Sequence, residues 1–251
     1  MIFKINYLKK LIYHRIWPYF HPIRSLEWRE LKSFAHNCPG CKVLSLGCGT
    51  GFFENRMRNR CPVQSVFGID LSYAAIAEAR KFHRKPGIVD FCLGDACQLP
   101  FENESFNAVI GLCTFEHFSE PHAVLDEIVR VLRPRGKLWL SVDAFDHPSI
   151  SKSYREKFRG RHNVINFFPL EDLSALLAKH GFRVEQYRYL LRSKGAGWVY
   201  QINSEIKSKG WEVIEPITFL LLRALIVFSE KICGTEDSGY ILTISGRLIE
   251  Q

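Results

Sequence analysis

The sequence predicts an α/β protein built on a doubly wound, seven-stranded, mostly parallel sheet with helices on both faces. Three observations predict it. From residue 42 onward, short apolar or β-branched runs alternate with amphipathic stretches. The amphipathic stretches are long enough to be right-handed crossovers between parallel strands. The first apolar run ends in Gly47-Cys48-Gly49-Thr50-Gly51, a spacing suited to a tight strand-to-helix turn.

The strand candidates are 42–46, 63–69, 88–93, 108–112, 137–142, 183–189 and 240–245. Helices are expected at 52–59, 72–83, 121–132 and 170–180. The last two place apolar residues at helical spacing: Val124, Leu125, Ile128, Val131 and Leu132, then Leu173, Leu176 and Leu177. Ser72 reads as the cap of the second helix, and Pro134 with Gly136 as the stop of the third. No repeat or low-complexity tract interrupts the series. With 251 residues, the chain reads as an N-terminal helical cap, 1–41, followed by one domain, 42–251, with insertions at 144–168 and 192–238.

The composition is globular, with 47% hydrophobic and 24% charged residues, which excludes a mainly disordered chain. The net charge of +8 is unevenly placed. Residues 1–42 and 151–200 each carry +6, whereas 43–150 and 201–251 each carry −2. An anionic partner is therefore expected at the flanks of the sheet and not at its centre. The eight cysteines sit mostly in apolar runs, as free thiols do in a reduced, cytosolic protein. Cys38-Pro-Gly-Cys41 has no second ligand pair and reads as a turn. The apolar residues of 1–20 are broken by Lys4, Lys9, Lys10 and Arg15, so no cleavable signal peptide is expected.

The chemistry concentrates at the strand ends. Alternating glycines after the first strand let the backbone approach a ligand closely. Roughly twenty residues on, the second strand ends in Gly68-Ile69-Asp70, placing a carboxylate where it can accept two ribose hydroxyls. The third ends in Gly94-Asp95-Ala96, with a second carboxylate near the rim of the same crevice. No Lys-Ser/Thr follows the glycines and no cation adjoins them, which excludes a Walker-type cradle and favours a nucleoside without phosphates.

Val43-Leu44-Ser45-Leu46-Gly47-Cys48-Gly49-Thr50-Gly51, Gly68-Ile69-Asp70-Leu71-Ser72 and Gly94-Asp95-Ala96 with Leu99-Pro100-Phe101 occur in order. They are followed by 105–110, Glu116-His117-Phe118 and 132–138. This series resembles class I S-adenosylmethionine-dependent methyltransferases, in the small-molecule branch with type 11 and ubiquinone-biosynthesis-like domains, over about residues 40–145. The resemblance implies a Rossmann-like fold, S-adenosylmethionine as methyl donor and S-adenosylhomocysteine as product. It implies Gly47, Gly49 and Gly51 at the methionine moiety, Asp70 on the ribose and Leu71 stacked on the adenine. Asp95 and Ala96 would hold the adenine edge, and Cys113 and Thr114 would lie beside the sulfonium. Ser45 stands where the family usually has an acid, so the link to the cofactor's amino group is either weaker here or supplied by Glu54; Asn107 stands where Asp is usual.

His117 is the candidate catalytic base, with loop hydrogen bonding as its structural alternative. Cys113 replaces the carboxylate that would complete a metal site beside Glu116-His117, so no metal is expected. His147 and Tyr154 are further acceptor-pocket candidates. The expected acceptor is a small, hydrophobic or lipid-linked molecule. Met1–Trp17 alternates apolar and basic residues as an interfacial helix does, and 213–228 is strongly apolar but short of a span. Together they suggest the cytosolic face of an anionic membrane, with a lid over the domain or a dimer contact as the alternatives. The rival readings are an RNA methyltransferase, suggested by the basic block Lys152, Arg155, Lys157, Arg159 and Arg161, and a non-catalytic S-adenosylmethionine-binding regulatory module. Nucleic acid is disfavoured because no Asp/Asn-Pro-Pro-aromatic turn follows the fourth strand. The sequence does not specify an oligomeric state.

Overall fold

The computed structural model describes residues 22–198, 201, 224–226, 228–229 and 237–249. The candidate interfacial helix 1–17, most of 213–228 and Cys233 lie outside the described residues. Chain order is α1 (Pro22–His36), β1 (Lys42–Leu46), α2 (Phe52–Arg60), β2 (Ser65–Asp70), α3 (Tyr73–His83) and β3 (Val89–Leu93). Then come β4 (Phe106–Leu112), a 3-10 turn (Phe115–His117), α4 (Pro121–Val131), β5 (Leu132–Asp143), α5 (Lys152–His162), α6 (Leu170–Lys179), β6 (Phe182–Leu190) and β7 (Ile241–Leu248).

The seven strands pair in the order β3-β2-β1-β4-β5-β7-β6, with β7 antiparallel to both neighbours and the other pairings parallel. Strand side chains alternate between two cores as the period of two requires. Leu44, Leu46, Val109, Leu138 and Leu140 face the layer containing α4 and α6. Val43, Ala108, Ile110 and Trp139 face the layer containing α1 and α2. The buried stripes of α4 (Val124, Leu125, Ile128, Val131) and α6 (Leu173, Leu177) are those the sequence spacing marks. Ser72 caps α3 by accepting a bond from the Ala75 N–H.

Three local features differ from expectation. Helix α4 ends at Val131 and the chain enters β5 at the next residue, so Pro134 and Gly136 do not stop the helix. They lie in an irregularity of β5, where the pairing with β4 jumps from Phe106↔Leu132 to Ala108↔Lys137. The chain turns there through Arg135, at φ 61. The 144–168 insertion contains helix α5, capped by Ser151 at its start and by left-handed Asn163 at its end. Its low apolar content hides it, because only Phe158 is buried.

Helix α1 is held by a buried carboxylate. Ile23, Glu27 and Leu31 lie one turn apart on its inner stripe, and Glu27 is fully buried. Glu27 Oε2 accepts from Arg24 at 2.9 Å, while Oε1 accepts from the Ser141 hydroxyl at 2.6 Å and the Cys113 thiol at 2.8 Å. The N-terminal segment is thereby tied to the ends of β4 and β5. Removing one member of a buried, hydrogen-bonded charge network typically costs about 3–5 kcal/mol. Glu27→Ala is therefore expected to lower the urea-unfolding free energy by about 3 kcal/mol, with Glu27→Gln losing less because an acceptor for Ser141 remains. Equal stability of Glu27→Ala and the parent chain would show that α1 docks without this network.

Candidate functional site

Parallel strands place all their C-terminal ends on one edge of the sheet, and the register sets which residues meet there. Leu46 pairs with Ile69 on one side and Gly111 on the other, Asp70 pairs with Leu93, and Leu112 pairs with Ser141. The turns after β1, β2, β3 and β4 therefore border one crevice, where the strand order reverses between β1 and β4.

Within it the glycine turn is tightly constrained. Gly47 and Gly51 have φ of 60 and 78, in the left-handed region. A Cβ on Gly47 would lie 2.1 Å from Thr114 Oγ1, and one on Gly51 would lie 2.4 Å from the Phe91 ring. Gly49, at φ 53, differs: a Cβ there meets nothing within 4 Å. The turn is thus packed on both sides and open in the middle, where a ligand can touch backbone.

Asp70 fixes that opening. Its Oδ2 accepts from Gly49 N–H and its Oδ1 from Ser72 N–H, each at 2.8 Å. A carboxylate has about four lone-pair sites, so both oxygens keep capacity for hydroxyl donors. Leu71, beside it, is 68% exposed and offers a flat apolar contact at the rim. Asp95 is exposed and bends its own turn by accepting from Cys97 N–H at 2.9 Å, with Ala96 buried behind it. That turn is held from below by α4: Leu99 N–H donates to Glu127, and Arg130 donates to the Leu99 and Phe101 carbonyls.

The two departures from the usual pattern have structural readings. Asn107 Oδ1 accepts from Lys42 N–H at 2.9 Å, a task for which a carboxamide oxygen suffices. Ser45 donates to Glu54 Oε1 at 2.6 Å, and Glu54 Oε2 is buried with no hydrogen-bond partner. Glu54 thus places an acid beside Ser45 from the first turn of α2.

At the other side of the crevice, Cys113 adopts a left-handed φ of 43 and commits its thiol to Glu27. Burial pushes that thiol well above its ordinary range, so it is no nucleophile at neutral pH. Thr114 lies against Gly47. The following turn separates two neighbours sharply. His117 is exposed and its Nδ1 lies 3.0 Å from the Asn163 carbonyl. Glu116 is fully buried, with neither carboxylate oxygen hydrogen-bonded. Burial, then the charge of Asp143, holds its pKa far above the usual carboxylate range. His147 and Tyr154 belong to a satellite core: His147 stacks on Tyr240 at 5.8 Å and Tyr154 on Phe145 at 6.0 Å.

The strand-end turns thus gather the glycines, Asp70, Leu71, Asp95, Ala96, Cys113 and Thr114, and His117 is exposed beside Asn163. Sequence reasoning missed Glu27, Ser141 and the burial of Glu116. Only Glu27 carried a signal, an acid on the 23-27-31 apolar stripe of a helix. The donor set suits S-adenosylmethionine: an open backbone position at Gly49, a carboxylate at the end of β2, and a buried acid, Glu54, with one oxygen unsatisfied.

Glu54 makes a prediction independent of any ligand. Burial raises it from 4.5 to about 7, against the lowering effect of Ser45. Between those values the folded chain keeps a proton that the unfolded chain loses, so stability falls as pH rises, and the loss is complete above about 7. The stability difference between Glu54→Gln and the parent should shift by about 3 kcal/mol in favour of Gln across that window, read from urea melts. A constant difference would show that Glu54 titrates as an ordinary carboxyl.

Comparison with known proteins agrees with this geometry. Residues 44–140 match the family model described as a methyltransferase domain. An O-methyltransferase of Pyrenophora dematioidea is 28% identical over 217 residues, covering 84% of this chain and 76% of the relative. A phthiotriol/phenolphthiotriol dimycocerosates methyltransferase of Mycobacterium leprae is 38% identical over 102 residues, covering 41% of this chain and only 37% of the relative. Among solved structures, an S-adenosylmethionine-dependent methyltransferase of Mesorhizobium loti superposes with TM-score 0.61 at 17% identity, over 88% of this chain and 97% of that one. Phosphoethanolamine N-methyltransferase 2 of Haemonchus contortus, in complex with S-adenosylmethionine, gives TM-score 0.59 at 20% identity, over 84% of this chain and 49% of that one. At such identities the solved structures speak for the fold, and the sequence matches for the family. With its ordered strand-end motifs, its sheet order and the matched domain, the chain belongs to the class I S-adenosylmethionine-dependent methyltransferases.

Proposed function

We propose that this methyltransferase acts on a hydroxyl of a hydrophobic, lipid-linked acceptor, with Glu116 as the group that takes the hydroxyl proton. The observation that carries the reading is Glu116 itself: a fully buried carboxyl with no hydrogen bond on either oxygen, on the turn after β4, within electrostatic reach of Asp143, Glu27 and Arg24. The same turn packs Phe115 against Phe118 at 5.8 Å and against Phe168 at 5.2 Å. A buried polar group without a bond is costly, and an acceptor hydroxyl brought to it would satisfy it. The relatives named for O-methylation and for phthiotriol dimycocerosates act on hydroxyl-bearing or lipidic molecules by their names, which supports the class.

Gly49 and its flanking Gly47 and Gly51 take the methionine part of the donor, and Glu54 its ammonium group. Asp70 takes the ribose hydroxyls, Leu71 the adenine face, and Asp95 with Ala96 the adenine edge. Cys113 and Thr114 shape the wall beside the reacting methyl. Bound S-adenosylmethionine supplies a methyl group already activated by its positive sulfur. What remains for the chain is placement and proton transfer. The acceptor oxygen forms the new C–O bond as the methyl–sulfur bond breaks, and its proton passes to the Glu116 carboxylate. Glu116 must be ionised for this, and burial opposes that. A cation beside it reverses the balance, so arrival of the sulfonium would release the Glu116 proton. His117, bonded to Asn163, holds the turn in place.

Two measurements test the assignment. Calorimetry in buffers of different ionisation heat counts protons released on binding. S-adenosylmethionine should release more than S-adenosylhomocysteine, which lacks the charge on sulfur, and Glu116→Gln should abolish the difference. The ammonium group is common to both ligands, so Glu54 cancels. Equal proton release by both ligands in the parent chain would reject Glu116 at the sulfonium. Separately, Asp70→Ala should weaken both ligands by about 100-fold, for two lost charge-assisted bonds. Gly49→Ala should remain folded yet bind neither; tight binding by Gly49→Ala would place the cofactor elsewhere.

A further inference from the structure

Helix α5 has a composition no other described helix shares. It carries five cations, Lys152, Arg155, Lys157, Arg159 and Arg161, and one acid, Glu156. Its single buried residue, Phe158, enters a satellite core with Phe145, Leu190, Ala196, Ile226 and Tyr240. Arg155 turns inward, donating to the Phe145 carbonyl. Lys152, Lys157, Arg159 and Arg161 remain exposed.

The segments that complete that core turn large apolar side chains outward. Ala196 and Ile226 are buried in it, while their near neighbours Trp198, Leu225 and Phe228 are 60%, 51% and 66% exposed. Just past the end of α5, Ile165 is 46% exposed. Single exposed apolar residues are ordinary. Four of them, each within two residues of a member of the core that Phe158 enters, together with a cationic helix on that core supply the mixture that enters the headgroup region of a bilayer.

This surface is bonded to the acceptor side of the site. The Asn163 carbonyl meets His117, and the Ile165 and Asn166 N–H groups both donate to the Glu116 carbonyl at 3.0 Å. We infer that helix α5, with Trp198, Leu225, Phe228 and Ile165, is a docking surface for an anionic lipid bilayer and brings the acceptor entrance to the membrane. Charge complementarity and the aliphatic residues select this occupant. Single-stranded RNA would use the cations and the aromatic rings, but Leu225 and Ile165 offer a base nothing to stack on. The orientation of the entrance rests on the lipid-linked acceptor reading; the docking itself does not.

The test is flotation of the full chain, bound to S-adenosylhomocysteine, with vesicles of phosphatidylcholine alone or mixed with phosphatidylglycerol. Floating is expected with the anionic vesicles at low salt, and loss of it at high salt. Combined Lys152→Gln, Lys157→Gln, Arg159→Gln and Arg161→Gln should lower the partition coefficient at least about tenfold, since each cation near such a surface contributes about fivefold. Trp198→Ser with Phe228→Ser keeps the charge and should also lower it about tenfold. An unchanged ligand-induced thermal shift in each variant shows that the fold is intact. Three results would overturn the inference: a parent chain that stays with the protein fraction, a fourfold Gln variant that floats like the parent, or binding of an RNA oligonucleotide that the variant loses while no vesicle floats. Labelled-methyl transfer into a lipid extract reads the acceptor separately, so the chain can dock and still fail that reading.

Discussion

The contact between Gly47 and Thr114 is the constraint on which the site depends. No room for even one methyl group separates the turn after β1 from the side chain that follows β4. The donor side and the acceptor side of the crevice are therefore fixed against each other at the reversal point of the sheet. Two further close approaches, Gly51 on Phe91 and Gly68 on Cys48, fix the turn from behind. With the backbone held in this way, Asp70 can tie Gly49 and Ser72 N–H groups together. An opening then remains only where Gly49 faces outward. In-line methyl transfer rewards such rigidity, because misplacement of reacting atoms by a fraction of a bond length is costly in rate.

Among the described residues, three buried glutamates divide the interior by how fully each is satisfied. Glu27 has Arg24, Ser141 and Cys113 and serves the architecture. Glu54 has Ser45 on one oxygen only, and Glu116 has no hydrogen bond on either. A fold does not retain unsatisfied buried acids for stability. The donor assigned to this site carries two cationic groups, an ammonium and a sulfonium, at its methionine end. Two incompletely satisfied acids flanking the place proposed for that end form the matching arrangement. On the proposed assignment Glu54 of α2 does the work of the acid usual on β1, and Ser45 orients it.

The alternation of apolar runs made all seven strands legible, since a buried parallel strand leaves a continuous apolar run and few competing patterns. The cofactor turns were legible for a different reason: glycine and aspartate at strand ends are local requirements, written where they act. Helix α5 was not legible, because a helix that buries one Phe and exposes its cations has almost no apolar period. Glu116 and His117 show the other limit. Adjacent residues on a 3-10 turn face different environments, and which one is buried depends on where the 163–166 loop closes over them. That closure is a long-range event. Glu27 likewise acts 86 residues away in sequence from the cysteine it meets.

The charge of +8 takes its meaning from the same separation of inside and outside. The segment holding the strand-end motifs, 43–150, is net −2, and its buried charges at the site are acids. That is the polarity a cationic methyl donor requires. The excess of cations lies largely in α1 and the segment before it, and on α5 and its surroundings. Arg24 of α1 is engaged by Glu27 and Arg155 of α5 by the Phe145 carbonyl, whereas Lys152, Lys157, Arg159 and Arg161 of α5 are exposed beside the acceptor turn. On the proposed reading the two reactants take opposite charges. The acids within the crevice suit the donor, and the cations outside it suit an anionic surface that presents the acceptor. A free, neutral acceptor would leave the second arrangement without a role.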